Sequence, residues 1–145
     1  MENLKKTQLQ SELASLISRF AFVISEPLED PGALPPGVNI IQVDYTGERG
    51  GSIFVVTDNE LGQKLLSNLI DLETATDADI VDALCELGNV FAGNILTFLF
   101  GSKQTYSLKP PKWFAMKSKD LTELDEFVFL DCEGSLLGVR VSETN

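Results

Sequence analysis

The chain contains no histidine. That excludes a Ser-His or Cys-His nucleophile pair, imidazole general-base catalysis and almost every catalytic zinc site. Any chemistry must run on carboxylates, amides, lysines or hydroxyls, or be supplied by a partner. Cysteine is nearly as scarce. Cys85 and Cys132 are the only two, and they form neither a CxxC pair nor the four-ligand set of a structural zinc site. Both are expected to be reduced, buried thiols, because free cysteine behaves as a small hydrophobe. The acidic residues show no calcium-loop pattern, and Gly47, Gly50 and Gly51 lack the Lys-Ser/Thr that completes a phosphate-binding loop. No metal and no cofactor of the chain's own is expected.

Long apolar runs are missing too. The strongest, Val90 to Phe100, is interrupted by Gly93 and Asn94 and is too short to span a membrane. The opening Met1-Glu2-Asn3-Leu4-Lys5-Lys6 has no apolar core behind its charges, so no signal peptide is expected and the default is a cytoplasmic protein. Positive charge is the third shortage. The net charge of −11 argues against nucleic acid, whose phosphates it would repel. The few cations are uneven: Lys103, Lys109, Lys112, Lys117 and Lys119 fall in a stretch without an acid, which is +5 against −16 for the rest. Such a stretch is either a strand edge guarded by lysines or a positive surface facing an acidic partner.

What is present is ordinary for a globular chain: 145 residues, 43% hydrophobic and 23% charged, enough for one domain over 1–145. Apolar residues at 9, 13, 16, 17, 20 and 21 predict a helix over Leu4 to about Phe22. Four of the six prolines fall between Ser25 and Gly37, which reads as a surface loop. Val38–Tyr45 and Ser52–Thr57 read as strands joined through Thr46 to Gly51. Leu61, Leu65, Leu66 and Leu69 predict a helix over Glu60–Leu72. Thr76 with Asp79 forms a capping box opening a long helix, Asp77–Phe100, and Gly101 supplies its left-handed stop. About three strands follow: Tyr106–Met116, interrupted by Pro110-Pro111, then Glu126–Asp131 and Leu136–Ser142, the last two around a turn at Glu133-Gly134-Ser135. Short hairpins between strands imply an antiparallel sheet, with amphipathic helices on one face. The fold class is α+β.

On a helical wheel of the long helix, Ile80, Leu84, Leu87, Phe91, Ile95 and Phe98 share the apolar side. Asp82, Glu86, Asn89 and Gly93, at steps of 4, 3 and 4, line the other. Asn89 is a poor helix former that caps nothing. Gly93 costs about 1 kcal/mol relative to alanine in a helix interior; it either removes bulk for a docking partner or packs tightly against a neighbour.

Asp82-x3-Glu86-Leu87-Gly88-Asn89, followed by Ala92-Gly93, resembles the D/S-x3-E-x2-N signature of the CheC, CheX and FliY phosphatases. Gly51-Ser52-Ile53 before a strand, the leucine-rich helix after it, and a proline pair starting after twenty further residues look most like CheX. The resemblance runs from about Gly47 to Pro111; the flanks agree only in element order, and Lys112-Trp113-Phe114 departs from the usual continuation. It implies removal of phosphate from the phosphoaspartate of a CheY-like receiver. Asn89 would position the attacking water and Glu86 would pair with the receiver's active-site lysine. Asp82, Gly93, Pro110 and Pro111 would contact the partner. The Mg²⁺ would belong to the receiver. The first helix has no E-x2-N, since Glu12 is followed by Ser15, which implies one site per chain. The family also implies a homodimer formed through the sheets. The competing expectation is a non-catalytic module of the same fold that binds a receiver or a flagellar-switch component.

Overall fold

The structure is a computed structural model that describes residues 3–67, 76–103 and 105–144. Helix α1 (Asn3–Ala21) opens the chain. Its apolar spacing lays Leu9, Leu13, Leu16, Ile17 and Ala21 into the core. The segment expected to be wholly loop holds a short strand, β1 (Ser25–Leu28). Pro27 lies in it opposite Leu130, and the sheet tolerates this because β1 is a terminal strand. Strands β2 (Gly37–Gly47) and β3 (Gly50–Thr57) form the predicted hairpin. Helix α2 (Asn59–Ser67) buries Leu61, Leu65 and Leu66; the remainder of the helix expected to reach Leu72, with Leu69, lies outside the described residues. Helix α3 (Asp77–Phe100) has the expected limits.

Four strands follow α3, one more than expected, because the proline pair splits the first. Strands β4 (Tyr106–Leu108) and β5 (Lys112–Lys117) both pair with the same side of β2. Between them residues 109–111 stand opposite Val43 and Asp44, three residues against two, so Pro110-Pro111 is a bulge in one edge strand. The last hairpin is β6 (Val128–Cys132) and β7 (Ser135–Thr144). Its turn is Glu133 and Gly134, both at positive φ, and Ser135 already belongs to the strand.

The strands make one antiparallel sheet in the order β1-β6-β7-β3-β2, with β4 and β5 end to end on the outer side of β2. Alternate residues of the strands, among them Ile41, Val43, Ile53, Val55, Leu130 and Leu137, join the three helices in the main core. The opposite face carries a smaller cluster of Val38, Ile40, Val56, Phe127, Phe129 and Leu136, flanked by Leu34, Met116 and Leu121. By length and composition alone α3 could cross a membrane. Here its apolar side lies on the sheet, and Asp82, Glu86 and Asn94 face outward, as in the core helix of a globular fold.

Candidate functional site

The start of α3 is fixed by the predicted capping box. The Thr76 hydroxyl accepts from the Asp79 N–H at 3.2 Å, and the Thr76 N–H donates to the Asp79 carboxylate at 2.8 Å. Asp77 and Asp79 put negative charge where the helix dipole favours it. At the far end Gly101 takes φ 86° and ψ 162°, a positive φ but an extended ψ in place of the left-handed helical stop expected, and its N–H donates to the Thr97 carbonyl. Between these ends the helix is seated by Gly88, which is buried against Ile41 and Val43.

Seating Gly88 on the sheet turns the polar stripe away from it. Asp82, Glu86 and Gly93 are exposed, and Asn89 is half-buried at the flank. One turn separates Glu86 from Asn89, so their β-carbons stand roughly 5–6 Å apart on one face. The four ion pairs among the described residues involve neither Asp82 nor Glu86. A β-carbon on Gly93 would meet nothing within 4 Å. The tight-packing explanation for that glycine therefore falls, and what remains is missing bulk on an open surface.

The helix offers its own control. Asn94 donates its side-chain amide to the Val90 carbonyl one turn back at 2.8 Å, and the Thr97 hydroxyl does the same to Gly93 at 3.1 Å. Those polar side chains are satisfied locally. The Asn89 carboxamide, among the described residues, makes no such bond. Its donor and acceptor are both left without a partner there.

The proline bulge lies level with this pair. Gly88 rests on Ile41 and Val43, and Pro110-Pro111 lies one strand outward from Val43 and Asp44, beside an N–H of Lys109 that donates to the Asp44 carbonyl. Of the five lysines only Lys109 and Lys112 flank the bulge. Register places Lys112 opposite Gln42, on the sheet face away from α3, where it pairs with Asp44 at 3.6 Å. Lys117 lies opposite Gly37 at the other end of β5, and Lys103 and Lys119 are exposed beyond the strand ends. Lys112 and Lys117 belong to the edge strand β5, and the other three lie outside it.

Both cysteines are free thiols, Cys132 buried and Cys85 half-buried. Burial, helped by the Asp131 charge, pushes the Cys132 thiol up to about 12; burial and Asp82 also raise Cys85. Neither is a nucleophile near neutral pH. Among the described residues no three acids or cysteines gather as a metal site would require.

Sequence reasoning missed two features. Gly88 was visible only as a spacer within the motif, although its place on the apolar side of the wheel signalled contact with the sheet. The other is a relay in which the Trp113 indole N–H donates to the Asn39 carboxamide at 3.0 Å and Asn39 donates to Asn59 at 2.9 Å. Nothing local in the sequence marks it.

The family model described as "Chemotaxis phosphatase CheX" matches residues 40–133, a span that contains the stripe, the seating glycine and the bulge. No curated protein matches the sequence. Among solved structures, the fold is shared with the CheX-CheY-BeF3-Mg²⁺ complex from Borrelia burgdorferi, at 17% identity and TM-score 0.66 over 99% of each chain. It is shared with CheX from Vibrio vulnificus at 13% identity and TM-score 0.70, over 95% of each chain. CheX from Desulfovibrio desulfuricans matches at 15% identity and TM-score 0.67, over 95% of this chain and 97% of that one.

Proposed function

The chain belongs to the CheX family of chemotaxis phosphatases, and on that premise we propose that it hydrolyses the phosphoaspartate of a CheY-like receiver with Asn89 and Glu86. The observation that carries this reading is the Asn89 carboxamide, which has no partner among the described residues while Asn94 on the same helix bonds the Val90 carbonyl.

Phosphoryl transfer asks little covalent chemistry of a protein, and most of its catalysis is positioning and electrostatics. A carboxamide can accept a hydrogen bond from water through its oxygen and donate one through its nitrogen. In this reading Asn89 holds a water in line with the phosphorus–oxygen bond of the phosphoaspartate. The water oxygen bonds to phosphorus, the bond to the aspartyl oxygen breaks, and its electron pair stays on the receiver's carboxylate. Inorganic phosphate leaves. Glu86, exposed and in none of the ion pairs among the described residues, forms a charge-assisted contact with the receiver's active-site lysine and sets the helix in register. Asp82 and the open surface at Gly93 extend that contact along the helix, and the bulge at Pro110 and Pro111 borders it.

The receiver complex named above contains Mg²⁺, and in this proposal the metal likewise belongs to the partner, where it offsets phosphoryl charge. Self-pairing and a cytoplasmic location go with the same reading. A second copy pairing through the sheet belongs to the same proposal, and sedimentation would show the dimer.

The deciding experiment phosphorylates receiver domains with acetyl phosphate, removes the donor and follows loss of label. Wild type and Asn94→Ala should accelerate decay of one receiver, and Asn89→Ala should bind it without accelerating decay. Binding of a receiver with no faster decay in the presence of wild type would instead make Glu86 and Asn89 docking residues of a non-catalytic module.

A further inference from the structure

We infer that the recess beside the N-terminal half of α3 is a second docking site for the receiver, built to take one of its lysine or arginine side chains. The inference rests on the receiver-phosphatase reading and adds to it a determinant of partner choice.

The recess has a volume of about 360 Å³ and is walled by Asn39, Asn59, Gln63, Asp77, Ile80, Val81 and Trp113. Its charge is one-sided. Asp77 carries the one formal charge, and it enters none of the ion pairs among the described residues. Asn39, Asn59 and Gln63 add neutral carboxamides, the Asn39 and Asn59 oxygens already accepting from Trp113 and Asn39, and no cation lines the wall. Trp113 is 40% exposed, yet its indole N–H is tied to Asn39, which is itself tied to Asn59. The ring is therefore held as a wall. A cationic side chain could lay its aliphatic stem along Ile80 and Val81, set its charge by the indole and end at Asp77.

Position ties the recess to the proposed site. Val81, Cys85 and Asn89 follow one another at four-residue steps, all half-buried, along the flank of α3. Eight residues of helix separate Val81 from Asn89 by about 12 Å. An interface of ordinary size covers about 800 Å² on each partner, a disc of roughly 16 Å radius. A receiver centred on Asn89 therefore covers the recess as well. Rigid, half-exposed tryptophan held from behind is the kind of residue on which interface affinity concentrates.

Trp113 is the one tryptophan of the chain, so a 5-fluorotryptophan-labelled protein gives a single ¹⁹F resonance from the recess. Adding a beryllofluoride-activated receiver should shift it. Trp113→Ala and Asp77→Asn should each weaken binding and raise KM by about tenfold, with kcat kept; Trp113→Phe, which keeps a ring, should lose less. Melting temperatures of the variants check that the fold survives. Binding is read without turnover, so a chain that binds but does not hydrolyse would sink the phosphatase reading and leave this inference standing. A resonance unmoved by saturating receiver would overturn it, as would unchanged Kd and KM in both variants. A shift that tracks the protein's own concentration without receiver would also overturn it, giving the recess to a second copy.

Discussion

Gly88 lies so close to Ile41 that a β-carbon placed on the glycine would stand 2.6 Å from the isoleucine γ2 methyl, with Val43 3.6 Å away on the same strand. Ile41 is fully buried and β-branched, so that methyl has little room to turn aside. The contact fixes both how near α3 comes to the sheet and which way its far side faces. Glu86 and Asn89 flank Gly88 in sequence, and their outward direction depends on it.

Gly88→Ala should therefore act on stability and on catalysis together. Overpacking of a well-filled core costs typically 1–3 kcal/mol, against a helix-propensity gain of about 1 kcal/mol for replacing glycine. A net loss of up to about 2 kcal/mol is expected in urea unfolding. The surviving folded protein should bind receiver but dephosphorylate it more slowly, since a displacement of about 1 Å at a positioning group can cost a hundredfold. A variant as active and as stable as wild type would show that the helix is not held by this contact.

On the other face of the sheet, Asp44 accepts hydrogen bonds from Ser52 and from Gln42 and pairs with Lys112. The Ser52 and Gln42 bonds, aided by Lys112 and Lys109, hold its carboxyl below the usual aspartate value of 3.8. A group whose pKa is depressed in the folded state adds stability above its unfolded pKa and loses it as pH falls through the folded one. The difference in unfolding free energy between wild type and Asp44→Asn should be constant above about pH 5 and shrink below about pH 4. Ser52→Ala should weaken this acid dependence, because the Ser52 hydrogen bond is its largest cause. Lys112→Ala should matter less, as the lysine is 58% exposed. The same acid dependence in wild type and Asp44→Asn would remove Asp44 as its source.

The long helix was legible in the sequence almost to the residue, because Thr76, Asp79 and Gly101 mark its ends with their own backbone chemistry. The stripe of Asp82, Glu86, Asn89 and Gly93 was legible for a related reason: helical periodicity is local. Strand β1 was not, since Pro27 argues against a strand unless the edge position beside β6 is known. Nor could the proline pair announce a bulge, which exists only against the two residues of β2 that it faces. The amide relay from Trp113 to Asn39 spans 74 residues. Such contacts are made by the register of β5 on β2, which no short window of sequence contains.

At Gly93 stability and docking can be probed separately. It is exposed, in regular helix, and a β-carbon there would touch nothing within 4 Å. Replacing it by alanine should stabilise the fold by up to about 1 kcal/mol, since glycine in an exposed helix interior loses that much to backbone entropy. A partner lying flat on the stripe would tolerate one methyl poorly and a large ring hardly at all. Gly93→Phe should therefore leave the protein folded while raising KM for the phosphorylated receiver far more than Gly93→Ala does. Both variants should melt at or above the wild-type temperature, so lost activity could not be blamed on unfolding. Full activity in Gly93→Phe would mean that the receiver does not cover this turn of the helix, and the docking footprint would have to end at Asn89.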